Sequence, residues 1–206
     1  DRPVRDKLGL MDLRTGEITE RDAIADFAFS GDGAYLALRR YAPEDAEADG
    51  VDVIVRELAT GSELPFGNIA EMAWSDDGAL LALVTDAADQ VGNGVRLYDA
   101  ATGRLRGLDT DEATYRRLAW RDDAADLVVY KTRPDPAFED TAHVAMIWRG
   151  LDGDRPESHT LDAGATGGFP PSMRVVEYRA PAWSDDGSTL FVGLQPRLMR
   201  LLTLSA

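Results

Sequence analysis

Four segments of the chain align without gaps on an aromatic residue, and this repetition limits the possible folds more than any other feature. They read Phe27-Ala28-Phe29-Ser30-Gly31-Asp32-Gly33, Met72-Ala73-Trp74-Ser75-Asp76-Asp77-Gly78, Leu118-Ala119-Trp120-Arg121-Asp122-Asp123-Ala124 and Pro181-Ala182-Trp183-Ser184-Asp185-Asp186-Gly187. A leucine follows seven positions after each aromatic: Leu36, Leu81, Leu127 and Leu190. Phe29, Trp74 and Trp120 stand 45 and 46 residues apart, the length of one propeller blade. Trp183 comes 63 residues later, so the third interval carries an insertion.

A second motif alternates with the first. It reads Leu10-Met11-Asp12-Leu13-Arg14-Thr15-Gly16, Val55-Arg56-Glu57-Leu58-Ala59-Thr60-Gly61 and Leu97-Tyr98-Asp99-Ala100-Ala101-Thr102-Gly103, with a degenerate copy at Ile147-Trp148-Arg149-Gly150-Leu151-Asp152-Gly153. Each repeat therefore holds two hairpins. An aromatic strand enters Ser-Asp-Asp-Gly, where short polar side chains bond the turn backbone and glycine takes a positive φ. The chain returns as an apolar strand such as Leu80-Leu81-Ala82-Leu83-Val84, continuous because both of its faces are covered. A third strand runs to Thr-Gly and a fourth leaves it. The third copy has Ala124 where the others have glycine, which predicts an altered or strained turn.

Regularly spaced strands with turn signals between them predict an all-β chain, and the period selects a propeller of four-stranded antiparallel blades. The phasing predicts a single propeller domain or propeller fragment over 1–206. It contains a half blade at 7–20, blades at about 25–66, 70–108 and 115–162, and a partial last blade at 179–206, four to five blades in all. Thr110 to Arg117 is the best helical candidate and is short. Two segments interrupt the period: Tyr41 to Asp52, which is acidic, and Asp162 to Glu177, which holds Gly167-Gly168-Phe169-Pro170-Pro171. Both read as solvated excursions on a rigid scaffold.

The functional candidates are few. Asp45-Ala46-Glu47-Ala48-Asp49-Gly50 resembles the opening of a calcium loop, but Arg56 falls where the bidentate Glu is needed and Glu57 is one step late, so no metal site is expected. The pairs Asp76-Asp77, Asp122-Asp123 and Asp185-Asp186 recur at one turn of successive repeats and read as turn chemistry rather than catalysis. Phe29, Trp74, Trp120 and Trp183 read as inter-blade core rather than a stacking platform. His143 falls in a strand-like stretch and His159 in a loop, and neither belongs to a metal-binding spacing. No G-x-S-x-G elbow, P-loop or dinucleotide fingerprint occurs. No catalytic residue, cofactor or metal ligand is predicted.

The formal net charge of -15 argues against nucleic acid as a partner, because phosphate binding relies on clustered Lys and Arg. The longest unbroken apolar run, Ala79 to Val84, is far shorter than the ~20 residues of a membrane helix. The absence of cysteine excludes disulfides, thiolate metal sites and cysteine nucleophiles. No signal peptide is visible at Asp1 to Asp12, and the chain opens almost inside a strand-like segment, which reads as a fragment of a longer protein.

Ala73-Trp74-Ser75-Asp76-Asp77-Gly78 and Leu97-Tyr98-Asp99-Ala100-Ala101-Thr102-Gly103 resemble the blades of TolB-like propellers and of the prolyl oligopeptidase family. Ala37-Leu38-Arg39-Arg40-Tyr41, Phe66-Gly67-Asn68, Gly92-Asn93-Gly94-Val95 and Arg174-Val175-Val176-Glu177 narrow this to the N-terminal propeller of bacterial prolyl-oligopeptidase-like serine peptidases. The resemblance covers about residues 7–197. It implies a propeller that restricts peptide access to an α/β-hydrolase domain, with that domain or the peptide as partner, in an exported bacterial protein. No catalytic position of the family matches a residue of this chain. A stand-alone TolB-like scaffold that binds a protein on one propeller face is the alternative, and a propeller lyase or glycosidase is a third class.

Overall fold

In a computed structural model, residues 5–170 and 172–200 are described, and every regular element among them is a β-strand. The strands are β1 (Lys7–Met11), β2 (Ile18–Asp22), β3 (Ile24–Phe29), β4 (Tyr35–Arg40), β5 (Val51–Glu57) and β6 (Glu63–Trp74). They continue as β7 (Leu80–Thr85), β8 (Gly94–Asp99), β9 (Arg104–Thr110), β10 (Tyr115–Trp120), β11 (Leu127–Arg133) and β12 (Ala142–Arg149). The last are β13 (Glu157–Leu161), β14 (Met173–Val175), β15 (Ala182–Trp183), β16 (Leu190–Phe191) and β17 (Leu194–Pro196). Thr110 to Arg117 is not helical. Its ends are the close of β9 and the start of β10, and it is Tyr115, buried by its neighbours, that sets the local structure there. Pro171 and residues 201–206, which fall in the second insertion and the last partial blade, lie outside the described residues.

Strands β3 to β9 form one antiparallel sheet in sequence order. The 12-residue β6 joins two blades, because Glu63 to Phe66 pair with β5 while Glu71 to Trp74 pair with β7. Between these halves Asn68 takes a positive φ of 57° and turns the strand from the rim of one blade to the first position of the next. Strands β10 to β13 form a third group, with β14 and β17 attached to its β12 side. β1–β2 and β15–β16 are separate two-stranded sheets. The molecule is a partial β-propeller.

The pairing is the same wherever the first hairpin recurs. Phe29 faces Leu36, Trp74 faces Leu81, Trp120 faces Leu127 and Trp183 faces Leu190. The turn chemistry explains this constancy. The Ser30 and Ser184 hydroxyls each reach an Asp carboxylate two residues on, at 2.6 Å, and accept the amide five residues on. Gly33, Gly78 and Gly187 supply the positive φ. In the third copy, with Ala124 in place of glycine, Asp123 takes the positive φ (54°), so the left-handed position has moved to a residue whose short polar side chain tolerates it.

Successive blades are clasped by their tryptophans. The indole N–H of Trp74 donates to Ala28 O (3.1 Å), that of Trp120 to Ala73 O (2.9 Å) and that of Trp183 to Ala119 O (3.4 Å). Each bond crosses to the strand of the preceding blade, so a large apolar surface is buried and its polar edge is satisfied at once. β7 and β11 are buried on both faces, as their unbroken apolar runs predict. Phe29 departs from the expected core role: it is 49% exposed, and among the described residues no complete blade packs on its outer side. His159 also departs from expectation. It lies in β13, opposite Ile147, on an exposed edge strand.

Candidate functional site: the charged mouth of the blade axis

The first strands of the blades, β3, the second half of β6 and β10, lie side by side, and each carries a register shift near its start. The shifts fall at Ile24/Asp26, Ile69/Glu71 and Arg116/Ala119, where a β-bulge re-aims side chains. Ala23, Asn68 and Arg117 take positive φ at these places. The bulges bring charged groups together at one end of the strands.

Glu71 satisfies the backbone of the next blade's bulge: its two oxygens accept the amides of Arg117 (3.0 Å) and Leu118 (2.9 Å). The Arg117 Nε donates to Glu177 O at 2.8 Å. Arg116 donates through one Nη to Asp49 Oδ2 (2.7 Å) and Asp86 Oδ2 (3.0 Å), and so ties the first insertion to the corner after β7. Asp86 is buried, and its other oxygen accepts from Asn93 Nδ2 at 3.0 Å. Fully buried Asn93 also donates to Ala113 O and accepts from the amide of Ala87. This amide thus knits three corners, with every one of those bonds closed inside the protein.

The first insertion closes over this cluster. A Cβ on Gly50 would fall 2.1 Å from Asp86 O, so only glycine lets the backbone lie against that corner. Arg39, Asp49, Glu71 and Arg116 line a cleft of about 330 Å3 on one side of Asp49, and Asp86, Thr114 and Arg116 line one of about 250 Å3 on the other. Asp45 and Glu47 remain exposed while Asp49 turns to Arg116, so the acidic string does not converge on a cation.

His143, on β12, is buried beside this region. Its Nδ1 lies 3.3 Å from Val175 O and its Nε2 3.5 Å from Glu177 Oε2. Burial pushes its pKa below the ordinary imidazole range, and the Glu177 charge opposes that without overcoming it. Both ring nitrogens face acceptor oxygens, of which the neutral imidazole can donate to one, and neither nitrogen is bonded to a hydroxyl. The Asp pairs stay in their turns: Asp186 is pulled down to about 2 by the Ser184 hydroxyl and then by the amide and hydroxyl of Ser188. Among the described residues, no three His, Asp or Glu side chains gather as metal ligands.

The sequence pattern points to His143 and Asp45 to Gly50 but assigns no role to Arg116, Arg117, Asp86, Glu71 or Asn93. One signal was available. Where the first two repeats have Ala25-Asp26 and Ala70-Glu71, the third has Arg116-Arg117, a reversal of charge at a fixed repeat position.

No family model matches the chain. No curated protein matches it either. Solved structures do. The β-propeller domain of the trilobed protease from Pyrococcus furiosus, described as having an open velcro topology, is similar at a TM-score of 0.50 and 17% identity, over 82% of this chain and 51% of that one. Hydrazine synthase from Kuenenia stuttgartiensis is similar at a TM-score of 0.50 and 16% identity, over 91% of this chain and 55% of that one. The tricorn protease gives 0.46 at 14% identity, over 71% of this chain and 16% of that one. The likeness to the trilobed protease's domain shows the β-propeller fold. The chain spans about half the length, or less, of the structures it matches.

Proposed function

We propose that this chain is a non-catalytic propeller domain of a prolyl-oligopeptidase-like serine peptidase, which gates peptide access to a hydrolase domain that these 206 residues do not contain. The observation that carries the reading is the mouth itself. Arg39 and Arg116 are held by carboxylates and carbonyls where they line a charged cleft, Arg117 is bonded to Glu177 O, and the one buried histidine is bonded to no hydroxyl. Such an opening can admit an extended peptide and orient its polar backbone, while the rigid blades exclude folded protein. The blade wording of the sequence and the likeness to a protease's propeller domain support the same reading. The test is to incubate the pure chain with short fluorogenic peptides and with a folded protein. Binding of the peptides without hydrolysis is expected, weakened by Arg116→Ala. Peptide cleavage by the chain alone, or equal binding of folded protein, would overturn the proposal.

A stand-alone interaction scaffold is the second reading. It is favoured by the exposed apolar side chains Met11, Leu13, Ile18, Phe27 and Phe29 at one end of the arc.

A further inference from the structure

Arg116 is shared by two carboxylates that are held very differently. Asp86 is buried and Asn93 fixes its other oxygen, so it is a permanent partner. The Asp49 side chain is 73% exposed, stands on a segment without regular structure, and accepts from the same Nη at 2.7 Å. An exposed ion pair of this kind is weak and exchangeable. The rest of the first insertion adds little grip. From Ala42 to Ala48 its side chains are three alanines, a proline and three acids, all exposed except Ala48. Asp49 is also the wall between two clefts. The one of about 330 Å3 and the one of about 250 Å3 both have Ala48, Asp49 and Arg116 in their lining. The repeat sets Arg116 apart from blade packing, since its counterparts in the first two repeats are Ala25 and Ala70.

We propose that Asp49 is an internal substitute for a peptide carboxylate: the first insertion closes a binding cleft, and a peptide opens it by placing its own carboxylate on Arg116 in place of Asp49. Resting on the reading of the chain as a peptide gate, this exchange replaces one carboxylate by another. Arg116 keeps its charge-assisted bonds, and buried Asp86 keeps its partner. A neutral ligand would leave the guanidinium with Asp86 alone. An anion added without release of Asp49 would meet Glu47, Asp49, Glu71 and Asp86, which already line the clefts. Gly50, packed against Asp86 O, is the fixed point about which Asp49 turns outward. The two clefts then run together over Arg116, beside Arg39, whose Nε is buried without a partner. Their remaining walls include Ala46, Ala70, Ala87 and Ala88, small side chains that leave width for a peptide main chain.

The test uses N-terminally labelled short peptides of one neutral sequence in three forms: a free C-terminal carboxylate, a C-terminal amide, and the amide with one internal glutamate. Each is titrated by fluorescence anisotropy, at moderate salt, into the chain and into Asp49→Asn. That substitution removes a charge at an exposed residue, and circular dichroism checks that the fold is unchanged. A carboxylate-bearing peptide is expected to bind roughly tenfold tighter than the plain amide. Asp49→Asn is expected to strengthen its binding a further three- to tenfold or so, roughly the share held closed by an exposed ion pair. The same peptide should quicken protease cleavage within 41–52 in the unmodified chain, as Asp49 is released. Whether the terminal carboxylate or the glutamate is preferred identifies the source of the charge. Equal affinity for all three peptides overturns the proposal and leaves the gate reading standing. So does Asp49→Asn that quickens cleavage within 41–52 yet leaves peptide affinity unchanged, which would make Asp49 a structural tie alone. Failure of every peptide to bind either protein overturns both readings.

Discussion

Leu81, Ala82 and Tyr98 in the middle blade and Leu190, Phe191 and Met11 at the two ends occupy the same positions of the same repeat. In the middle they are nearly or wholly covered: Ala82 is 0% exposed and Tyr98 is 7%. At the ends Leu190 is half-buried, and Phe191 and Met11 are largely exposed. The first hairpins are alike in both regions, with the same Trp–Leu pairing and the same glycine conformation, although Ser75 donates to Asp77 O where Ser184 donates to the Asp186 carboxylate. Local sequence thus suffices to make a hairpin, whereas burial comes from the neighbouring blade. That is the energetic signature of a repeat architecture, in which each unit lacks the surface to bury its own faces and is stabilised across its interfaces.

Substitution in the two regions tests that contrast most strongly. Leu81→Ala removes a fully covered side chain and is expected to cost about 2–5 kcal/mol in denaturant unfolding. Met11→Ala, at a side chain that is 51% exposed, is expected to cost about 0.5 kcal/mol or less. Equal losses would break the comparison.

The next effect concerns the mouth. Arg116→Ala leaves buried Asp86 with Asn93 alone and is expected to cost about 1–3 kcal/mol. It also unties Asp49, so cleavage within 41–52 by a broad protease should quicken, whereas the turns at the rim should be cut as before. An unchanged cleavage rate would show that Gly50 and its backbone contacts hold the insertion without the ion pair.

The tryptophan clasps sharpen the comparison further. Trp120→Phe is expected to lose about 0.5–1.5 kcal/mol for the bond to Ala73 O, and Trp183→Phe less, since its bond is longer. Phe29→Trp should gain nothing, because among the described residues no first strand of an earlier blade offers a carbonyl there.

The smallest effect is one of pH. Burial depresses the His143 pKa, so in the window from its folded value up to the ordinary ~6.5 the unfolded chain binds more protons than the folded one. Its contribution to stability is therefore complete above about 6.5 and is lost as pH falls through that window. His143→Gln should flatten this part of the pH–stability curve. A slope of the opposite sign would place the imidazole in its charged form.

Most of the fold was legible because a repeat states its own period. The Trp-Ser-Asp-Asp-Gly and Thr-Gly turns mark the hairpins, and the unbroken run Leu80 to Val84 announces a strand covered on both sides. Phe29 was misjudged for the reason that separates the two regions: its type says core, but its burial depends on a blade that single-residue patterns cannot supply. Thr110 to Arg117 is the best helical candidate in the sequence, yet its ends belong to β9 and β10, with Tyr115 fully buried. The candidate site was the least legible. Arg116, Asp49, Asp86 and Asn93 are brought together from three loops, and only the Arg116-Arg117 break in the repeat hinted that the third blade differs at the axis.

Native-state amide hydrogen exchange tests the difference between middle and ends most directly. The amides of Leu81 to Val84 are expected to exchange slowest, and those of β1 and β16 orders of magnitude sooner. Equal protection of β1, β16 and β7 would mean that the two half-blades already pair within one chain, and the contrast between a supported middle and open ends would be wrong.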